Sequence, residues 1–104
     1  MIVKSRPHHD LVRMKAKFGS VETLELTTTA LLSAQALGFT LADVVDVVRA
    51  LEPEDFVKSE TAHSPPNSKR WHDTYVTPFE ERELYLKFAG ETLVDLVLAS
   101  FKEA

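Results

Sequence analysis

The sharpest pattern in the chain runs from Glu83 to Ala89, where Leu84, Leu86 and Phe88 alternate with Tyr85 and Lys87. A period of two predicts a β-strand with one apolar face and one polar face. Two shorter β-like runs precede it, Asp55 to Thr61 and Arg70 to Thr77, and another follows, Leu93 to Lys102. That last run is almost entirely apolar or small and holds no Gly or Pro. It predicts a strand buried on both faces over most of its length. Gly90 marks a tight turn into it, a hairpin signal. His63 to Lys69, with two prolines and an asparagine, predicts a loop.

The first half has a longer period. Pro7 suits the first turn of a helix. Leu11, Met14 and Phe18 follow at spacings of three and four, and Gly19 supplies the stop. His8 and His9 fall in that first turn, where neighbours point in different directions and form no chelating pair. Ser20 to Leu26 alternates only weakly, as a short edge strand or an extended connector would. Thr27, Thr28 and Thr29 offer caps for a second helix from Ala30 to Leu37, closed by Gly38. Thr40, with Asp43 three residues on, caps a third. Its valines favour a strand, but Asp43, Asp46, Arg49 and Glu52 recur every three residues, opposite Leu41, Val44, Val45, Val48 and Leu51. That spacing decides for a helix, which Pro53 ends. Three helices followed by a mostly antiparallel sheet make one α+β domain over residues 1–104, with the helices on one sheet face.

Composition narrows the chemistry. There is no cysteine, so no disulfide frame and no thiolate metal site. No apolar run approaches the ~20 residues of a membrane span, and the first residues lack a signal-peptide pattern. The expectation is a soluble, cytoplasmic protein with no membrane partner. The net charge of −4 is unevenly spread. Residues 1–20 hold five Lys/Arg against one Asp, residues 21–60 two against eight acids, and residues 61–104 five against seven. Net acidity argues against a general nucleic-acid coat, because non-specific affinity comes mainly from phosphate neutralisation. The N-terminal cations with Lys58, Lys69, Arg70, Lys87 and Lys102 can still form a local basic patch. A solvated helix face explains the first cluster equally well.

Each β-like run carries a residue able to do chemistry: Lys58, His72, Tyr85 and, at the end, Lys102. Cleaving RNA without a metal needs a base for the ribose 2′-OH, an acid for the leaving 5′-oxygen, and a cation for the charge growing on phosphorus. His72 suits proton transfer near neutral pH, Tyr85 can donate a proton or anchor, and Lys58 and Lys102 can neutralise phosphate. The bland alternatives stand beside this. The lysines can be edge-strand cations that discourage sheet pairing. Trp71 and Tyr75 would share a core face, Asp73 would orient the surroundings of His72 or pair with Arg70, and His63 would lie on the surface.

A resemblance adds to this reading. The run Arg6-x-His8, the run Thr29-Ala30-Leu31-Leu32-x-Ala34-x-x-Leu37-Gly38, and Asp55-Phe56-x-Lys58-Ser59 follow a family pattern. So do Trp71-x-Asp73-x-Tyr75, Tyr85-Leu86-Lys87 and the closing Ser100-Phe101-Lys102-Glu103. From about Arg6 to Glu103 the chain resembles the MqsR toxins (motility quorum-sensing regulator), messenger-RNA interferases of bacterial toxin–antitoxin pairs. The resemblance implies a RelE-like fold and a cofactor-free, metal-independent endoribonuclease that cuts mRNA at short GC-containing sites and arrests growth. It implies as partner a cognate MqsA-like antitoxin, zinc-containing with a DNA-binding domain. It also implies catalytic roles for Lys58, Tyr85 and Lys102; the basic patch adds RNA contacts from Lys69, Arg70 and Lys87.

The chain departs from the pattern in places. His72 stands where the family has glutamine, and Val57 where a tyrosine is often found. The stretch around Pro65-Pro66 looks longer than the family's. A lysine neighbour, Lys58 or Lys102, would keep His72 mainly neutral and able to accept the 2′-OH proton. The second reading is a non-catalytic, decayed toxin retained as an antitoxin-binding module in operon regulation.

Overall fold

The computed structural model describes residues 2–63 and 66–104. A two-residue strand, β1 (Val3–Lys4), comes first. Three helices follow: α1 (Leu11–Lys17), α2 (Thr28–Ala36) and α3 (Leu41–Ala50). A 3-10 turn over Pro53–Asp55 leads into β2 (Phe56–His63), β3 (Pro66–Phe79), β4 (Arg82–Gly90) and β5 (Val97–Glu103). The five strands lie in chain order, each antiparallel to the next. The helices cover one face only, so the expected α+β arrangement is what forms.

The helix starts are set by side-chain caps. Thr27 Oγ1 accepts from the Ala30 N–H. Thr40 and Asp43 form the full reciprocal capping box. Gly38 ends the α2 region at φ 84°, a conformation that favours glycine. The valines of α3 resolve in favour of the helix because Val44, Val45, Val47 and Val48 are all buried beneath it. Packing of that face outweighs their weak propensity.

The core lies between the helices and the inner row of β3 and β4. Met14 and Phe18 of the first helical segment share one buried cluster with Tyr75, Leu84, Leu86 and Phe88. Phe18 and Phe88 stack at 5.9 Å, and Tyr75 meets Phe88 edge-on at 6.0 Å. Burial, with Asp73 and Asp10 adding to it, pushes the Tyr75 hydroxyl above its ordinary value.

Several expectations change. The first helix begins at Leu11, not Pro7, because the Asp10 side chain caps it by accepting from the Arg13 N–H; His8 and His9 precede the helix. Ser20 to Leu26 is a turn that ends in one isolated parallel bridge, Leu26 to Leu98. The predicted loop from His63 to Lys69 is shorter, since β2 continues to His63 and β3 begins at Pro66; Ser64 and Pro65 lie outside the described residues. β1 carries no sequence signal and pairs with β2 at the sheet edge.

The last strand starts four residues later than its apolar run predicts. Leu93–Leu96 belongs to a turn in which Val94 is 87% exposed. Two local networks hold that turn. The Asp95 carboxylate accepts from the N–H groups of Glu91 and Thr92, which draw its pKa down to about 2. Lys17 Nζ, at the end of α1, donates to the carbonyls of Leu93, Val94 and Leu96. The strand itself is buried at Leu98 and Phe101, not on both faces.

Gly90 ends β4 where the turn folds back on it. A Cβ there would stand 2.9 Å from the Leu96 Cα and 3.1 Å from its nitrogen. Gly90→Ala is therefore expected to cost about 1–3 kcal/mol by forcing backbone apart. Urea denaturation of the variant against the parent protein measures it.

Candidate active face

The helix-free face of the sheet is defined by register. One row across the strands reads Val3, Glu60, His72 and Ala89. The next reads Lys58, Thr74, Lys87 and Ser100, and a third reads Val76, Tyr85 and Lys102. Residues facing each other across an antiparallel pair share a face. Lys58, His72, Tyr85 and Lys102 thus lie on one surface.

Two irregularities put the lysines there. On β2 the register slips between Phe56, opposite Tyr75, and Lys58, opposite Thr74, leaving Val57 as an extra residue. Phe56 faces the core, and in a regular strand Lys58, two residues on, would face it too. The bulge turns Lys58 outward. On β5 the slip falls between Ser100, opposite Lys87, and Leu98, opposite Phe88. There Ala99 is the extra residue, so Leu98 points inward while Ser100 and Lys102 point outward.

The four residues share the face without converging on one point. Tyr85 and Lys102 are direct cross-strand neighbours, with the ammonium 4.9 Å from the ring centroid. Lys58 and His72 are diagonal neighbours. The backbones of His72 and Tyr85 are separated by one strand and two rows, about 14 Å by standard sheet spacings. Thr74 and Lys87 occupy the middle. The Thr74 hydroxyl is buried without a hydrogen-bond partner. No cavity forms among the described residues.

The outlying cations differ. Lys69 is exposed, and its N–H donates to Asn67 Oδ1. Arg70 pairs with Asp95 at 3.9 Å. Both lie in the stretch of β3 between Asn67 and Trp71, whose partners on β2 are the consecutive residues Ala62 and Thr61. The sequence reading missed Glu60. It is 8% exposed, stands directly opposite His72, and its Oε1 lies 3.4 Å from Lys58 Nζ. Its position one step past Ser59 in the alternating run was the available signal. Lys102, proposed as a neighbour of His72, is two strands away.

Behind the face, Asp73 corrects another expectation. It neither pairs with Arg70 nor reaches outward. It is fully buried and accepts from the backbone N–H groups of His8 and His9 and from the Ser59 hydroxyl. Trp71 is half-buried against the N-terminal segment: His8 stacks on it at 5.0 Å and Lys4 Nζ lies 4.0 Å above its ring. His8 and His9 each donate from Nε2 to a carbonyl, of Glu91 and Gly90 respectively. Among the described residues no three His, Asp or Glu are grouped to hold a metal ion.

Residues 6–103 match the family described as motility quorum-sensing regulator, toxin of MqsA. The chain belongs to this family. It is also similar to the mRNA interferase toxin MqsR of Escherichia coli K12, 32% identical over 100 residues, which cover 96% of this chain and 97% of that protein. The family match spans all the strands that build the helix-free face except β1.

Burial, with the neighbouring His8, lowers the pKa of His9 against the opposing pull of Asp73. Unfolded chain takes up this proton near the ordinary value of 6.5, whereas folded chain resists it until lower pH. Stability is therefore expected to fall as pH drops through and below 6.5. In His9→Gln the slope of urea midpoint against pH over that range should flatten, whatever the variant's absolute stability.

Proposed function

We propose that the protein is a metal-independent endoribonuclease toxin that cleaves messenger RNA, with the helix-free face as its active surface. The single observation that carries this reading is the common placement of Lys58, His72, Tyr85 and Lys102 on an open face in a member of this toxin family. RNA would lie along the face, held by Lys58, Lys87 and Lys102, with Lys69 and Arg70 extending the contact. His72 is the proton-transfer group, and the lysines offset the charge that grows on the phosphoryl oxygens. Tyr85, fixed beside Lys102, anchors the substrate or donates a proton. The family description names MqsA, and the matching partner here is an antitoxin of that kind. The resemblance adds a zinc-containing antitoxin with a DNA-binding domain, and cleavage at short GC-containing sites.

The Lys58–Glu60 pair favours the second reading, a decayed toxin that only binds antitoxin, because it offsets one of the cations. Expression without antitoxin separates the two, since only the enzyme arrests growth.

Purified protein should cut a defined RNA in EDTA and leave a 2′,3′-cyclic phosphate or its 3′-phosphate hydrolysis product. Fragments ending in 3′-hydroxyl would point to a metal-activated water instead. Lys102→Ala should lose cleavage while changing stability by no more than about 0.5 kcal/mol, because the side chain is exposed. Gel analysis of the RNA alongside urea denaturation tests both halves of that expectation.

A further inference from the structure

A glutamate nine-tenths buried on an otherwise cationic face needs a reason. Glu60 is the middle residue of the row Val3–Glu60–His72, flanked along its own strand by Lys58 at 3.4 Å. Across β3 it faces His72 directly, with Thr74 the next outward residue on that strand and Arg70 on the other side, the latter paired with Asp95. On β1 it faces Val3, which is apolar. His72 in turn faces Glu60 and Ala89, with Lys58 and Lys87 as diagonal neighbours. A carboxylate and an imidazole in direct cross-strand register have Cβ atoms about 5 Å apart. A base and an acid serving the two oxygens of one phosphodiester need a spacing of that order.

We propose that Glu60 and His72 form the acid–base pair of RNA cleavage, with Glu60 as the base and His72 as the acid. This rests on the ribonuclease reading above and adds a residue to it. The Glu60 carboxylate takes the proton from the ribose 2′-OH. The 2′-oxygen forms its bond to phosphorus as the bond to the 5′-oxygen breaks. His72, entering as imidazolium, gives that leaving oxygen its proton. The products are a 2′,3′-cyclic phosphate and a 5′-hydroxyl, and exchange with water returns one proton to His72 and removes one from Glu60. Lys58, held by Glu60, is aimed at the phosphoryl oxygens of the same phosphodiester. Facing each other across the strands, the carboxylate and the imidazole leave one group to take a proton and the other to give one, so His72 acts as the donor, the reverse of its role with only lysines for neighbours.

The test uses the full chain, a defined RNA, and the same RNA with 2′-deoxyribose at the cut position to read binding without cleavage. Glu60→Gln keeps the shape and should keep both the urea midpoint and the affinity for the 2′-deoxy oligonucleotide within about twofold. Its cleavage rate should fall about 10²–10⁴-fold, and the acidic limb of the pH–rate profile should vanish. His72→Gln should lose the basic limb instead. An RNA whose leaving 5′-oxygen is replaced by sulfur needs no protonated acid at that atom. It should restore His72→Gln to near the parent rate and leave Glu60→Gln slow.

Glu60→Gln that cleaves at the parent rate with both limbs intact overturns the assignment while leaving the ribonuclease reading in place. A faster Glu60→Gln also overturns it, since Glu60 would then only mask Lys58. Parent protein that binds RNA and arrests no growth and cuts no RNA overturns the ribonuclease reading, and this proposal with it.

Discussion

The buried carboxylate of Asp73 is the constraint on which the two sides of the molecule depend. A buried charge must be met by hydrogen bonds or it costs several kcal/mol. Here three donors meet it, two from the backbone of the N-terminal segment and one from Ser59 on the adjoining strand. The N-terminal segment is thereby tied to the middle of the sheet, where Trp71, His8 and Lys4 add a stacked layer. Because Asp73 points inward, its neighbours His72 and Thr74 point outward. The residue that secures the back of β3 also fixes which residues form its front.

Charge and hydrogen bonding add to apolar burial at the end of the molecule around Gly90. Lys17 collects three carbonyls of the turn before β5, and Asp95 collects two N–H groups. His8 and His9 bond the carbonyls of Glu91 and Gly90. These contacts join α1, the N-terminal segment and the β4–β5 connection, above the shared core of Met14, Phe18, Phe88 and Leu96. The cationic N-terminal stretch is accordingly occupied with structure, so its lysines are not spare charges for RNA.

The strands were legible where one face is buried and the other is not. Leu84 to Phe88 showed its alternation openly, and the face of Tyr85 and Lys87 followed from it. The capping threonines and Gly38 were equally plain, because caps are local chemistry. What stayed hidden depends on partners distant in the chain. The run Leu93–Leu96 is as apolar as a strand, but Lys17 and Asp95 bind its backbone in a turn. The role of Asp73 stayed hidden because two of its three donors lie some 65 residues earlier. Glu60 was overlooked beside Lys58 because register, not spacing, sets it opposite His72. The lysines and the tyrosine stood out from the residues and gained roles from the family resemblance, whereas the glutamate is visible only once the strands are paired.

The bulges at Val57 and Ala99 have a consequence for how this sheet can vary. Each acts as a parity element: one extra residue reverses which side every later position in its strand presents. Removing Val57 would shorten the strand by a single step, yet it would exchange inside for outside along β2, turning Lys58 toward the core. Side chains on this face can therefore be exchanged one at a time. Length at these two points cannot drift in the same way, because odd changes invert the surface and only even ones preserve it.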